Sequence, residues 1–206
     1  MPPGDRFLGV PVPEIRKMVR ESDALPIANV TSLVSSPLHE ERLLGFLILV
    51  RRFERGEGPS QRQIYRTYLR QTRFLNGWDL VDVSAPNIVG TWLLSSPGDR
   101  SILAKLAGST SLWERRIAIV STLTFIRAGV FDPTLAIAKT LLHDPEDLIH
   151  KATGWMLREL GKRNPDLLRK YLRQHAGAMP RTMLRYAIEK FSTDERRHWR
   201  DPRSLG

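Results

Sequence analysis

Apolar residues recur three and four positions apart along almost the whole chain, and no stretch alternates with period two for long enough to make a strand. The pattern predicts an all-α protein. Helices are expected from Pro13 to about Ser22, Pro26 to Ser35, and Leu38 to Arg55, the last ended by Gly56-Glu57-Gly58-Pro59. Others follow at about Ser60 to Arg73, Gly77 to Ser95 with a bend at Pro86, and Asp99 to Ala107. Thr110 to Ala128 is closed by Gly129, and Pro133 to His143 is a short one. Pro145 to Arg163, Pro165 to Gln174 and Pro180 to Phe191 complete the series. Residues 193–206 read as a charged, loosely ordered tail.

The helices have a period. Leu38, Leu75, Leu112 and Leu148 are the first apolar residues of four corresponding helices, spaced 37, 37 and 36 residues apart. A helix pair repeated at that interval predicts an α-solenoid of HEAT-like pairs, a superhelix in one domain of about five to six repeats with a basic concave groove. Position four from each leucine is Glu41, Trp78, Arg115 and Lys151. Position five is Arg42, Asp79, Arg116 and Ala152, and position eight is Gly45, Asp82, Ile119 and Trp155. Trp78, Asp82, Arg115, Arg116, Lys151 and Trp155 are thus expected on comparable faces of successive helices, lining one groove.

Charge narrows the class of partner. The 206 residues carry 32 Lys and Arg against 22 Asp and Glu, net +10, and the basic residues are mostly arginine, whose fork suits phosphate. Nucleic acid is the partner this predicts. With no cysteine, disulfide and thiolate chemistry are excluded. The longest apolar run, Leu43 to Val50, is too short to span a membrane, and the N-terminus reads as no secretion signal. A cytoplasmic monomer is the expectation. The five histidines, His39, His143, His150, His175 and His198, show no metal-ligand spacing and no carboxylate at a fixed offset, so neither a metal nor another cofactor is expected.

Leu75-Asn76-Gly77-Trp78-Asp79-Leu80-Val81-Asp82 is the stretch with most chemistry in it. Asn76 is a candidate N-cap, and Trp78 and Asp82 fall four residues apart, on one helix face. An aromatic beside a carboxylate suits a flat cation. The plainer reading is a core tryptophan and an aspartate answering the helix dipole. Trp92 and Trp113 read as packing residues. Tyr65 and Tyr68 with Arg62, Arg66 and Arg70 read as a solvated basic face.

At these residues the chain resembles the DNA alkylation repair family, the AlkD-like DNA glycosylases built from HEAT-like repeats. The matching pieces are W-D-x-V-D at Trp78, Asp79, Val81 and Asp82, L-W-x-x-R at Leu112, Trp113 and Arg116, and K-A-x-G-W-x-L-R-E from Lys151 to Glu159. Asn164-Pro165-Asp166 and F-L-G-V-x-x-P at Phe7 to Pro13, followed by Arg16, extend it. The resemblance implies that Trp78 and Trp155 are cleft aromatics, Asp82 the catalytic carboxylate, and Arg116 a cation on the DNA backbone. Arg115, Lys151 and Arg158 are further candidates for phosphate contact.

The implied reaction is hydrolysis of the N-glycosidic bond of a cationic N3- or N7-alkylpurine in double-stranded DNA. Family members usually carry another helical unit before the F-L-G segment, and here six residues precede Phe7. The alternative expectation is therefore a HEAT-like protein that binds damaged or distorted DNA without cleaving it. A protein-binding scaffold is a third, because HEAT arrays commonly bind proteins.

Overall fold

The computed structural model describes residues 5–201, apart from the side chain of Pro97. The ends of the sequence, 1–4 and 202–206, lie outside the described residues, and with them part of the N-terminal stretch read for a signal and the end of the expected tail. The protein is all-α, as the periodicity predicts, and the described residues hold only an isolated bridge between Arg6 and Leu38 in place of any strand. No described helix is long and apolar enough to cross a membrane. Where a single domain is expected from the sequence, the chain divides into two compact units, Met1–Ser95 and Ser96–Gly206.

The first unit comprises α1 (Val12–Glu21), α2 (Ile27–Val34), α3 (His39–Arg55), α4 (Gly58–Arg70), α5 (Trp78–Ala85) and α6 (Thr91–Ser95). Helix α3 is its centre, with α1, α2, α4 and α5 packed on it. The reason is in its sequence: Leu43, Phe46, Ile48, Leu49, Val50 and Phe53 surround the axis and are all buried, so several neighbours are needed to cover it. At Gly45 the α2 backbone comes so close that a Cβ would stand 2.8 Å from the Val34 amide nitrogen.

The bend expected at Pro86 is a single π turn, Pro86–Gly90, between α5 and α6. Proline has no N–H to give to the carbonyl four residues back, that of Asp82, and the helix widens where that bond is missing. Around it, Asn87 Nδ2 donates to the Val83 carbonyl at 2.8 Å and Thr91 Oγ1 to the Pro86 carbonyl at 3.3 Å.

The second unit comprises α7 (Ser101–Ala107), α8 (Leu112–Val120), α9 (Thr122–Arg127), α10 (Asp132–Thr140), α11 (Asp147–Arg163), α12 (Pro165–His175), α13 (Arg181–Ala187) and α14 (Thr193–Arg200). Its centre is α11, against which α8, α9, α10, α12 and α13 pack. The helix expected over Thr110 to Ala128 is divided at Ser121, where Thr122 Oγ1 bonds back to the Ile119 carbonyl at 2.6 Å. Side-chain caps at Ser111 and Asn164 begin α8 and α12, accepting from the amides of Glu114 and Leu167.

The expectation of a loosely ordered tail is corrected over residues 193–200. Ser192 caps α14 by accepting from the Glu195 amide, and Asp194 and Glu195 stand at the positive end of the helix dipole with Arg197, His198 and Arg200 at the negative end. Trp199 is buried, and Arg169 of α12 holds Glu195 at 2.9 Å. A lone apolar residue among charges gives no visible helical stripe in the sequence, and only its burial against the unit explains the order.

The 37-residue period appears inside each unit as contact between successive period helices, α3 with α5 and α8 with α11. Position five of the period carries a repeated tie. Arg42 donates to Asn76 Oδ1 at 3.0 Å, 34 residues on, and Arg116 donates to the Leu148 carbonyl at 2.7 Å, 32 residues on. Each buried guanidinium reaches the start of the next period helix.

Candidate functional site

Trp78 is the first residue of α5. Gly77, extended at φ −141° and ψ 147°, stands at its N-cap, and no side chain caps it. The expectation that Asn76 is the cap is corrected: its Oδ1 accepts the Arg42 guanidinium instead. Leu75, Leu80 and Val81 are buried, yet the indole of Trp78 remains 57% exposed. One turn on, half-buried Asp82 shares that face. Behind it lies Tyr68, wholly buried and hydrogen-bonded to Ser84 Oγ at 3.0 Å. Burial pushes the Tyr68 phenol well above its ordinary pKa, and the Asp82 carboxylate adds to the rise. The tyrosine is thus neutral at physiological pH.

A charged network anchors the first turn of α5. His39 places Nδ1 3.0 Å from Asp5 Oδ2 and Nε2 2.7 Å from Asp79 Oδ2, and Phe7 stacks on the imidazole with centroids 4.9 Å apart. Arg42 bonds to Asp5 as well as to Asn76 and to the Ser36 carbonyl. The Asp5 side chain is 2% exposed. Burial alone would raise its pKa, but the Arg42 and His39 hydrogen bonds prevail and hold it below the ordinary value. Glu40 receives the Leu8 and Gly9 amides at 2.9 and 2.8 Å, which overcome its burial and likewise hold its carboxyl low.

Sequence reading passes over His39 because its partners lie 34 and 40 residues away, in other repeats, so no fixed offset betrays them. The available signal is Asp79 itself, a carboxylate beside Trp78 at position five of the period.

In the second unit, the Lys151, Trp155 and Arg158 positions share one face of α11. Trp155 is half-buried. Lys151 pairs with Asp147 at 2.9 Å, and that hydrogen bond holds its ammonium above the ordinary lysine pKa. Arg158 bonds to Glu189 and lies 3.6 Å from Glu159.

Arg115 and Arg116, the other two expected phosphate contacts, are both bonded to groups of the protein itself. Arg115 grips buried Asp144 at 2.6 Å and the carbonyls of Ser109 and Thr110 at 3.1 and 3.0 Å. Arg116 is only 5% exposed. Its place in the period matches that of Arg42, and both guanidiniums reach an acceptor oxygen at the start of the next period helix, Asn76 Oδ1 and the Leu148 carbonyl.

The family model for the DNA alkylation repair enzyme matches residues 1–191. The chain belongs to the DNA alkylation repair family. Among solved structures, it is similar to a predicted DNA alkylation repair enzyme from Enterococcus faecalis, with a TM-score of 0.72 and 19% identity over 91% of this chain and 89% of that one. That likeness is one of fold. No curated protein matches the chain. The family places the protein in DNA repair, with DNA as its substrate.

Proposed function

We propose that this member of the family is a DNA glycosylase hydrolysing the N-glycosidic bond of N3- or N7-alkylated purines in duplex DNA. The observation that carries the reading is the solvent-exposed indole of Trp78 one helical turn from the carboxylate of Asp82. An indole left in water while its chain neighbours are buried is a surface for a ligand, and an alkylated purine nucleotide is a flat cation. Cation–π attraction at such a surface contributes about 0.5–2 kcal/mol.

Because the alkylated base is already positive, it leaves neutral and needs no general acid, unlike the leaving group of an ordinary glycosidase. The C1′–N bond breaks with its electron pair passing to the base. Asp82 offsets the positive charge that grows on the sugar, water bonds to C1′, and the proton released passes to the carboxylate. The carboxylate acts most strongly where that charge is largest, at the transition state. Trp155 is the second aromatic and Lys151 a phosphate contact in this reading, both supported by the family motif on α11.

Release of base from duplex DNA bearing a defined cationic adduct tests it. Asp82→Asn, which keeps shape and removes charge, is expected to slow single-turnover release by about 10²–10³-fold. Trp78→Ala should cost about 2- to 30-fold, the range of one cation–π contact. Unaltered release by Asp82→Asn removes the carboxylate from the chemistry. Salt-sensitive DNA binding by the wild-type chain with no release at all would favour the non-catalytic reading.

A further inference from the structure

The helix α14 turns a stretch of charged sequence into one wall of a cavity. Arg181, Thr182, Leu184 and Arg185 of α13 face Arg200 of α14 across a hollow of about 480 Å³. Arg181, Arg185 and Arg200 are exposed, and none of them pairs with an acidic group among the described residues. Among the described residues, no carboxylate lines the hollow. Three guanidiniums around one opening repel one another, and an anion seated there would offset that repulsion.

The position of Arg200 is set by packing. It follows buried Trp199, while Glu195, one turn earlier, is clasped by Arg169. On the other wall, α13 lies close against α11, where a Cβ on Gly154 would stand 2.5 Å from the Met183 carbonyl oxygen. The hollow lies near Lys151 of α11. Thr182 bonds to Asp147, the partner of Lys151, and Arg185 is near enough for its charge to act on the Lys151 ammonium.

We infer that the hollow between α13 and α14 binds the phosphodiester backbone of DNA, with Arg181, Arg185 and Arg200 supplying forked donors to phosphate oxygens. Arginine forks match the paired acceptor oxygens of a phosphate, and a polyanion relieves all three cations together. A strand lying along Lys151 reaches the hollow without leaving the second unit. The inference rests on DNA being the substrate, and it needs no chemistry at Asp82.

The test is binding of an undamaged duplex oligonucleotide by the full chain across a salt series, for the wild type and for the triple variant Arg181→Gln, Arg185→Gln, Arg200→Gln. Each lost phosphate contact lowers the slope of log affinity against log salt by about 0.9, so a fall of about 2–3 is expected. A control triple, Arg163→Gln, Lys170→Gln, Arg173→Gln, removes the same charge from exposed positions on α11 and α12 and is expected to leave most of the slope intact. The triple Arg→Lys variant should keep the slope while binding more weakly, since charge remains and the fork is gone.

An unchanged slope in the first triple, or an equal fall in the control, overturns the site. So does loss of a thermal shift by inorganic phosphate with DNA binding untouched, which would make the hollow a receptor for free phosphate only. Base release is not read in this experiment. The glycosylase reading can therefore fail through Asp82→Asn while the hollow stands, and the reverse.

Discussion

The ring nitrogen Nε2 of His39 lies 2.7 Å from Asp79 Oδ2, and this contact fixes where α5 begins. Asp79 follows Trp78 directly, so the most exposed large apolar side chain of the described residues starts from a turn pinned to α3. The same imidazole holds Asp5 on its other side. His39→Ala removes both contacts and leaves a carboxylate buried with one partner fewer. Chemical denaturation should show a loss of about 2–4 kcal/mol. Hydrogen exchange at the amides of residues 79–82 should quicken beyond that of α4, because the anchor acts on the first turn of α5.

Acid should weaken the first unit through Asp5 and Glu40. Both carboxyls are held below their ordinary values in the folded state, Asp5 by Arg42 and His39 against its burial, Glu40 by backbone amides against its burial. A depressed folded pKa stabilises the fold above the unfolded value, about 4, and that contribution drains away as pH falls through the folded value. Urea denaturation is therefore expected to give a plateau down to about pH 5 and a decline below about pH 4. Asp5→Asn should lower the plateau and flatten the decline. A decline as steep as that of the wild type would assign the acid sensitivity elsewhere.

Arg116 should matter to stability and little to DNA. It is buried with its guanidinium on the Leu148 carbonyl, so Arg116→Gln is expected to cost about 1–3 kcal/mol in denaturation. The salt slope of DNA binding should change by well under the about 0.9 that a lost phosphate contact produces. A full unit lost from the slope would return Arg116 to the DNA-contacting set.

Gly154 is where the α11 and α13 backbones meet. An added Cβ would stand 2.5 Å from the Met183 carbonyl oxygen and 2.6 Å from Tyr186 Cβ, and neither is the far end of a flexible side chain. Gly154→Ala should force the helices apart and cost about 1–3 kcal/mol, seen as a lowered Tm. Weaker DNA binding should accompany it, because α13 carries two of the arginines inferred to hold the backbone.

Periodicity alone was enough to give the class of fold and most of the helices, because burying one side of a helix leaves a three-and-four pattern that no other structure produces. The segments around Trp78, Trp113 and Trp155, with the entry at Phe7 to Pro13, together marked the family, because they stand in the right order over nearly the whole chain.

Direction was what the sequence left open. Position five of the period holds Arg42, Asp79 and Arg116, and nothing in their spacing tells a guanidinium that faces solvent from one turned onto a carbonyl of the next repeat. His39 found its carboxylates, and the tail its helix, through partners more than twenty residues distant. Such pairings arise only when helices stack, because burial there makes an unpaired charge or carbonyl expensive, and only the tertiary structure determines which group stands opposite which.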